Sequence, residues 1–233
     1  MERLDKLLAA TGQWSRKEAK ALVKAGRVQV GGARPKGPED KVAEGTPVTV
    51  DGRPIATEQG VYVMLHKPAG VVSSTQDPRE RTVLDLLPQH LRRRALFPVG
   101  RLDKDTEGLL LLTNDGPLAH ALLAPGRHVD KVYYVEVDGR LDQQDRRAFQ
   151  AGVPLADGTG CQPADLTVLD PPSQGLVTLR EGKYHQVKRM LAARGKPVTY
   201  LKRLSMGPLT LDPALPAGAW RPLTPEEKAS LGR

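Results

Sequence analysis

The first part of the chain shows the apolar spacing of short helices. Leu4, Leu7 and Leu8 follow the i, i+3, i+4 pattern of an amphipathic helix. A second helix is predicted to begin at Ser15, because Ser15 and Glu18 form a capping box in which each side chain can bond to the other's backbone N–H group. The pattern therefore predicts a pair of helices near the N-terminus, each with an apolar face.

Short β-rich runs follow the two helices. Residues 28–30 and 48–50 are expected to form strands, and Asp51-Gly52 is a turn signal after the second of them. Residues 53–60 show no apolar periodicity and are interpreted as a linker. We therefore predict two domains, which cover residues 1–58 and 59–233.

From residue 61 onward, strand-like and helix-like patterns are mixed. Strands are predicted over residues 61–65, 109–113, 131–137, 176–180, 198–201 and 209–211. Helices are predicted over residues 117–124, 141–150 and 185–194. Asn114-Asp115-Gly116 is a turn signal at the end of a strand. Because strands and helices do not alternate regularly, an α+β fold is favoured over a doubly wound parallel sheet.

Composition adds a class of partner to this picture. The chain has 233 residues, of which 39% are hydrophobic, so it can form ordinary globular domains with a core. Its formal net charge is +8, and a surplus of this size favours a polyanionic partner. Nucleic acid is the commonest such partner, and an acidic membrane surface is the alternative.

The chain has few of the cysteine and histidine residues that disulfides and metal sites need. Cys161 is the single cysteine, so no intramolecular disulfide can form, and the five histidines show no metal-ligand spacing. No apolar run approaches the roughly 20 residues that cross a bilayer, and the N-terminus lacks the apolar run of a signal peptide. We therefore expect a soluble, cytoplasmic protein without a metal or another cofactor.

The basic residues are concentrated near the N-terminus, where residues 1–36 include nine basic and three acidic side chains. Arg16, Lys20, Lys24 and Arg27 would share one face if the second helix continued that far. A solvated charged face is the simplest explanation of such a stripe. Phosphate binding explains it better, because like charges at i, i+4 repel each other and no acidic residue interrupts the stripe.

The N-terminal helix–turn–helix–strand pattern resembles the alpha-L RNA-binding motif of the ribosomal protein S4 family. The matching residues are Arg3-Leu4-Asp5-Lys6, Ser15-Arg16, and Ala25-Gly26-Arg27-Val28 with Val30. This resemblance covers about the first 50 residues. It implies a small S4-like RNA-binding domain in front of a second, larger domain.

One charged segment, GRLDKDTEGLLLLTNDG at residues 100–116, holds candidate chemistry. Its residues are compatible with a charged loop that leads into a buried strand. Asp103, Asp105 and Glu107 are also compatible with a hydrolase that uses paired carboxylates. Spacing alone does not separate these two interpretations.

The same segment resembles the signature of pseudouridine synthases of the RsuA/RluA superfamily, in which Gly-Arg-Leu-Asp precedes Thr-x-Gly and an apolar strand. Three further motifs follow the order of that superfamily: KPxG at 67–70, KxYxV at 131–135, and EGKYHQVKRM at 181–190. With the N-terminal part, the resemblance spans nearly the whole chain. It implies a mixed, mainly antiparallel β-sheet with flanking helices that isomerises uridine in RNA.

The resemblance also implies roles for individual residues. Asp103 corresponds to the catalytic carboxylate, and Lys188 to a cationic partner that we expect within about 6 Å of it. Tyr133 would stack on the uracil, and Arg101 would fill the space that the flipped base leaves. Two further residues are implied at the substrate: Leu179 and Gln186.

The last motif indicates the target, because it contains Tyr184-His185-Gln186 where large-subunit relatives usually carry Asn-Arg-Gln. The implied substrate is a uridine of 16S ribosomal RNA, of the uridine 516 type. His185 itself is interpreted as structural, since it stands near a helix start. We expect a monomer that acts on 16S rRNA or the assembling small subunit and does not bind membranes. Two alternatives stay open: a 23S rRNA synthase of the same family, and a non-catalytic rRNA-binding assembly factor.

Overall fold

The computed structural model of the chain describes residues 1–43, 45–55, 60–127 and 129–232. They form two compact units, of which the first comprises Met1–Val61 with Leu84–Phe97 and the second comprises Tyr62–Val83 with Pro98–Arg233. The predicted boundary at residue 58 lies outside the described residues. The sequence patterns contain no sign that residues 84–97 cluster with the first unit, because that segment has no strong periodicity.

The first unit is built from short strands and helices. Its strands are β1 (Glu2–Arg3), β2 (Val28–Val30), β3 (Lys41–Val42), β4 (Val48–Val50) and β5 (Arg53–Pro54). Its helices are α1 (Leu4–Ala10), α2 (Arg16–Lys24) and α3 (Gln89–Arg92). The two predicted helices and the two predicted strands are confirmed. The predicted linker is wrong at its start, because β5 pairs with β4; residues 56–59 lie outside the described residues.

Local sequence explains why α1 and α2 form and pack together. The Glu18 N–H group donates to Ser15 Oγ at 3.2 Å, and the Ser15 N–H group donates to the Glu18 carboxylate at 2.6 Å, so the predicted capping box is confirmed. The apolar faces of both helices meet the small sheet β2–β4–β5. The buried core of this unit consists of Leu4, Leu7, Leu8, Ala19, Leu22, Val23, Val28, Val42, Val48 and Val50.

The second unit contains a large sheet. Its strands are β6 (Tyr62–Lys67), β8 (Glu107–Thr113), β9 (Lys131–Val137), β10 (Asp165–Val168), β11 (Gln174–Leu179), β12 (Val198–Met206), β13 (Leu209–Thr210) and β14 (Trp220–Pro222). Its helices are α4 (Gly116–Leu123), α5 (Gln143–Ala151), α6 (Gln186–Ala193) and α7 (Pro225–Ser230). Strand β7 (Phe97–Pro98) and a 3-10 turn (Val83–Leu86) lie where the chain passes between the two units.

The strand order in this sheet is β10-β11-β9-β12-β8-β6-β14, with β13 beside β12. Only the pair β8 and β12 is parallel among these described pairings, so the predicted mixed, mainly antiparallel sheet is confirmed. Glu107 and Gly108 of β8 stand opposite Lys202 and Arg203 of β12. This central pair lies next to the charged segment that carries the candidate chemistry.

Several elements differ from their predicted form. Asn114-Asp115-Gly116 does not close a hairpin; instead the Asp115 carboxylate accepts from the Leu118 N–H group at 3.0 Å and caps α4. β12 extends past its predicted end at residue 201 and runs to Met206. The prediction was too short because Lys202 and Arg203 interrupt the apolar pattern, although they do not interrupt the strand. Strands β10 and β14 were not predicted, since each is short and contains charged residues or proline.

The core beside the site lies between one face of the sheet and two helices. Val135 and Val137 of β9 alternate with more exposed residues and point into this core. Phe149 of α5 and Met190 of α6 are fully buried against them. Because the apolar face of α6 is fixed in this way, its other residues are held at defined positions along the sheet.

Candidate active site

The loop that carries Asp103 is anchored on both sides of that residue. The Ser73 hydroxyl donates to the Leu102 carbonyl at 2.8 Å and accepts from the Leu102 N–H group at 3.0 Å. After Asp103 the chain turns, and the Thr106 N–H group donates to the Asp103 carbonyl at 3.1 Å. The backbone is thereby fixed, while the Asp103 side chain remains 26% exposed and accessible to a substrate.

A buried lysine, Lys67, stabilises the turn that follows Asp103. Lys67, at the end of β6, is fully buried, and its ammonium donates to the carbonyls of Pro68, Lys104 and Thr106 at 3.0, 3.2 and 2.8 Å. The Gly70 N–H group adds a bond to the Lys104 carbonyl at 2.7 Å. Three acceptors match the three protons of an ammonium group. The segment 67–70 therefore positions the carboxylate loop.

The buried position of Lys67 changes its acid–base behaviour. Burial lowers the pKa of Lys67 from 10.5 to about 8, and the charges of Asp105 and Asp103 counteract part of that effect. The KPxG motif is visible in the sequence, but it does not by itself indicate a role for Lys67. The signal in the sequence was a lysine in line with an apolar strand run; in the structure it is the last residue of β6, and residues 63–67 of that strand are all buried.

Lys188 is the cation that faces the candidate carboxylate. It stands in the first turn of α6, and its ammonium lies 3.0 Å from Asp103 Oδ2 and 2.5 Å from Asp105 Oδ1. Burial opposes its charge, but the hydrogen bonds to Asp105 and Asp103 outweigh that effect and raise the pKa of Lys188. The hydrogen bond from Lys188 lowers the pKa of Asp105. The expected proximity of Lys188 and Asp103 is confirmed.

His185 also lies beside the carboxylate. Its Nε2 atom is 3.4 Å from Asp103 Oδ1, and its ring is stacked on that of Tyr184, with centroids 3.8 Å apart. The sequence interpretation of His185 as merely structural therefore missed a contact with the site. The pattern predicted a helix that begins at His185, whereas α6 begins one residue later, and no pattern indicated the direction of the His185 ring.

A glycine allows the strand after the loop to approach its neighbour. Gly108 has a φ of 109°, and a Cβ atom at this position would overlap the Arg203 carbonyl oxygen on β12. Arg203 is itself buried, and its Nε donates to the Leu109 carbonyl at 2.8 Å. The glycine of the Thr-x-Gly motif thus permits close parallel pairing of β8 and β12 next to the site.

Tyr133 and Leu179 share one face of neighbouring strands. Tyr133 stands opposite Val177 of β11 and opposite Arg203 of β12, and Leu179 is two residues beyond Val177. Residues two apart on a strand point to the same face, so Tyr133 and Leu179 are diagonal neighbours. Leu179 is buried in the core, whereas the Tyr133 side chain is partly exposed.

The other two predicted residues differ in accessibility. Arg101 is exposed and stands two residues before Asp103. Gln186 is buried, and its amide accepts from the Lys183 N–H group at 2.9 Å and donates to the Glu181 carboxylate at 2.5 Å. These bonds close the loop in front of α6, which favours a positioning role for Gln186 over contact with the substrate.

The basic stripe of the first unit is shorter than the sequence suggests. α2 ends at Lys24, and the Arg27 guanidinium beyond it donates to both Asp51 oxygens, at 2.8 and 2.5 Å. Lys20 lies 3.9 Å from Asp5 Oδ2, and Arg16 is exposed. The charge of Arg27 is therefore compensated within the protein.

A concave surface with basic walls lies next to α2. This pocket, of about 550 Å³, is lined by Arg3, Lys20, Val23, Lys24, Arg34, Pro35, Lys36, Gly37, Pro38 and Glu39. Arg34 and Lys36 come from the segment after β2, which has no helical periodicity, so the stripe did not include them. A pocket with this excess of cations suits a phosphate group.

The described residues contain no group of three or more His, Cys, Asp or Glu side chains that could hold a metal ion. In the same part of the chain, no helix has the length and apolar character of a membrane span.

The candidate site consists of a partly exposed carboxylate, Asp103, held by the ammonium of Lys188. Such a carboxylate can act as a nucleophile or stabilise a developing positive charge.

Comparisons with known proteins match both units. Residues 61–193 match the RNA pseudouridylate synthase family, and residues 2–48 match the S4 domain. An uncharacterised RNA pseudouridine synthase of Bacillus subtilis is 49% identical over 97% of this chain and 96% of its own length. A ribosomal small subunit pseudouridine synthase A of Pseudomonas aeruginosa is 44% identical over 98% of this chain and 100% of its own.

Two further matches extend this result. The ribosomal small subunit pseudouridine synthase A of Escherichia coli K12 is 40% identical over 98% of this chain and 99% of its own length. A crystal structure of a pseudouridylate synthase is 33% identical, covers 99% of this chain and 100% of its own, and superposes with a TM-score of 0.70. The sequence matches and the structural match thus each cover nearly the whole chain.

Proposed function

This chain belongs to the RNA pseudouridylate synthase family and carries an S4 domain, and we propose that it converts a specific uridine of small-subunit ribosomal RNA to pseudouridine. The observation that carries this proposal is the contact between Asp103, in the Gly-Arg-Leu-Asp motif, and Lys188 at 3.0 Å. An RNA-binding module without activity would have no need to keep this carboxylate partly exposed and paired.

The reaction rearranges one nucleotide without a net loss of atoms. The N1–C1′ bond of uridine breaks, the uracil turns, and a C5–C1′ bond forms. The hydrogen on C5 is then released as a proton, and N1 takes up a proton. Asp103 serves as the catalytic carboxylate, either as nucleophile or as the group that stabilises the sugar or base intermediate.

Lys188 orients the Asp103 carboxylate. Its ammonium lies 3.0 Å from the carboxylate, close enough for a charge-assisted hydrogen bond. Asp105 shares the same ammonium at 2.5 Å and fixes its position from the solvent side. Lys67 acts on Asp103 indirectly, because its hydrogen bonds to the Lys104 and Thr106 carbonyls hold the turn that carries Asp103.

The uracil would bind beside this group after it leaves its stack. Tyr133 supports the flipped base with its ring, and the apolar side chain of Leu179 lies on the same face of the sheet. Arg101 is exposed next to the loop, where it can occupy the space that the base vacates. Gln186 acts indirectly, by closing the loop before α6.

The S4 domain supplies RNA contacts that do not depend on the target base. Lys20 and Lys24 of α2, together with Arg34 and Lys36, line its basic pocket and would bind the phosphate backbone. Arg16 is exposed and adds to this surface. Arg27 would contribute less, since Asp51 already pairs with both of its donor nitrogens.

The choice of 16S rRNA, of the uridine 516 type, rests on two supports. The chain carries Tyr184-His185-Gln186 in its last motif, and relatives that match its full length are named ribosomal small subunit pseudouridine synthase A. We further propose that the enzyme works in the cytoplasm as a monomer without a cofactor, on free 16S rRNA or on the assembling subunit.

The test combines purified protein with RNA from cells. Purified protein should release tritium from 16S rRNA labelled at uracil C5 while leaving the strand intact. Chemical mapping of rRNA from cells that lack the protein should show one pseudouridine missing from 16S rRNA. A missing 23S position would indicate the large-subunit alternative. If rRNA from cells that lack the protein kept all its pseudouridines, and the purified protein released no tritium, the protein would instead be an assembly factor.

A further inference from the structure

Tyr184 presents an exposed aromatic ring next to the catalytic carboxylate. Among the described residues, the exposed large apolar side chains are Met1, Leu123 and Tyr184, so Tyr184 is the only ring in this group. The residue is 67% exposed, although one face of its ring lies on the His185 ring, with 19° between the two planes. An exposed aromatic face at a functional site is a typical contact surface for a partner.

The backbone at His185, next to Tyr184, has an unusual conformation. His185 has φ 48° and ψ 35°, a left-handed conformation that is uncommon for residues other than glycine. The neighbouring loop maintains it, because the Gln186 amide binds the Lys183 N–H group and the Glu181 carboxylate. The Arg189 N–H group also donates to the His185 carbonyl at 2.9 Å, which ties this residue to the first turn of α6.

The stacked rings of His185 and Tyr184 lie between the Asp103 carboxylate and the solvent. His185 Nε2 lies 3.4 Å from Asp103 Oδ1, and Tyr184 stacks on the histidine ring, with 3.8 Å between centroids. A uridine bound at Asp103 remains covalently linked to the nucleotides on both sides of it. These neighbouring nucleotides therefore stay close to Asp103, as the exposed Tyr184 ring does through its stack on His185.

We propose that Tyr184, supported by His185, stacks on the base of a nucleotide directly adjacent to the target uridine. This inference rests on the proposed function and adds a specificity element to the same site. Stacking accepts any base, because every base has a π face, but it requires that the neighbour is unstacked from the RNA helix. Tyr184 would thus favour a uridine in an opened or single-stranded segment.

The experiment couples changes in the protein with changes in the RNA. The RNA is a 16S rRNA fragment that contains the mapped uridine, made intact or with an abasic nucleotide on its 5′ or its 3′ side. On intact RNA, Tyr184→Leu should lower kcat/KM by about 5- to 150-fold, the range expected for loss of one stacked base. Tyr184→Phe keeps the ring and should stay within about threefold of wild type.

The abasic RNAs decide whether the base itself is the partner. With the neighbour removed on the stacking side, wild type and Tyr184→Leu should have equal kcat/KM. An equal penalty for Tyr184→Leu on all three RNAs would overturn the proposal, because the ring would then act only on His185 within the protein. Tyr134→Leu is the matched control; Tyr134 bonds to Glu136 on the opposite face of β9 from Tyr133, and its removal should show no dependence on the neighbour.

A binding measurement separates this inference from the reaction itself. With 2-aminopurine next to the target uridine, stacking on Tyr184 should quench its fluorescence in the complex with Asp103→Asn, and Tyr184→Leu in the same background should restore it. Wild-type protein that forms no pseudouridine would refute the proposed function. Active wild-type protein without coupling or quenching would refute the stacking platform alone.

Discussion

The Lys188 ammonium lies 3.0 Å from the Asp103 carboxylate and binds the Asp105 carboxylate at the same time. The two aspartates stand in one turn, and the lysine comes from a helix 83 residues later than Asp105. A single cation thus connects the loop that carries Asp103 to α6. Because α6 is fixed by its buried face, the position of the carboxylate depends on the packing of the whole second unit.

Removal of the Asp103 charge should abolish turnover without abolishing binding. Asp103→Asn keeps the shape of the side chain but cannot act as a carboxylate, whereas phosphate contacts dominate RNA affinity. We expect tritium release below about 1% of wild type, a barrier increase of more than ~2.7 kcal/mol, with Kd changed by a few-fold at most. Residual turnover above that level would argue against Asp103 as the catalytic group.

Replacement of Lys188 tests the charge partner. Lys188→Met leaves both aspartates without their shared ammonium, so kcat should fall by roughly 100-fold or more while Kd changes little. Lys188→Arg keeps the charge and should retain substantial activity. Single-turnover kinetics separate the chemical step from binding. Wild-type turnover by Lys188→Met at pH 7 would eliminate this assignment.

Asp105→Asn is the matched control for the two carboxylates. It removes the outer partner of Lys188 and leaves the 3.0 Å contact with Asp103 available. We expect kcat within about tenfold of wild type, since exposed ion pairs contribute little. If Asp105→Asn were as inactive as Asp103→Asn, the two carboxylates would have to act as a pair.

The buried ammonium of Lys67 should make stability depend on alkaline pH. Its pKa is lowered from 10.5 to about 8, so between these values the unfolded chain binds more protons than the folded protein. The wild-type free energy of unfolding should therefore rise by about 3 kcal/mol relative to that of Lys67→Met as the pH increases through this window.

Urea unfolding of both proteins across this pH range measures the effect. Lys67→Gln, which also lacks the ionisable group, should show the same pH dependence relative to wild type. A constant difference between wild type and either variant would mean that Lys67 is not buried as an ammonium. Both variants should also lose kcat more than RNA affinity, because the turn with Asp103 loses its support.

The basic pocket should control the salt dependence of RNA binding. Lys24→Ala with Arg34→Ala removes two pocket cations, so the slope of log K against log salt should fall by about 0.7–0.9 for each phosphate that the protein no longer neutralises. Arg27→Ala is the control of equal charge type and should change the slope less, since Arg27 pairs with Asp51. Deletion of residues 1–58 should flatten the slope further, and an unchanged slope would exclude backbone contact by this domain.

Apolar spacing and short motifs predicted much of this protein. The capping box of Ser15 and Glu18 and the β-rich run at residues 131–137 are local signals, and each formed the predicted element. Local signals failed where a strand contains charged residues, as at Lys202 in β12, which pairs with β8 and β9. At Asp115 the turn signal proved to be the N-cap of the predicted helix α4.

The sequence by itself determined the family and the α+β class and singled out Asp103 as the candidate catalytic residue, because these follow from residue order, short motifs and short-range periodicity. Only the tertiary structure decided which charges meet. Lys188 faces Asp103, Lys67 is buried under the turn, and Arg27 is paired with Asp51. Such partnerships join residues that are far apart in the chain, and their distance and burial depend on how strands and helices pack, which no local pattern encodes.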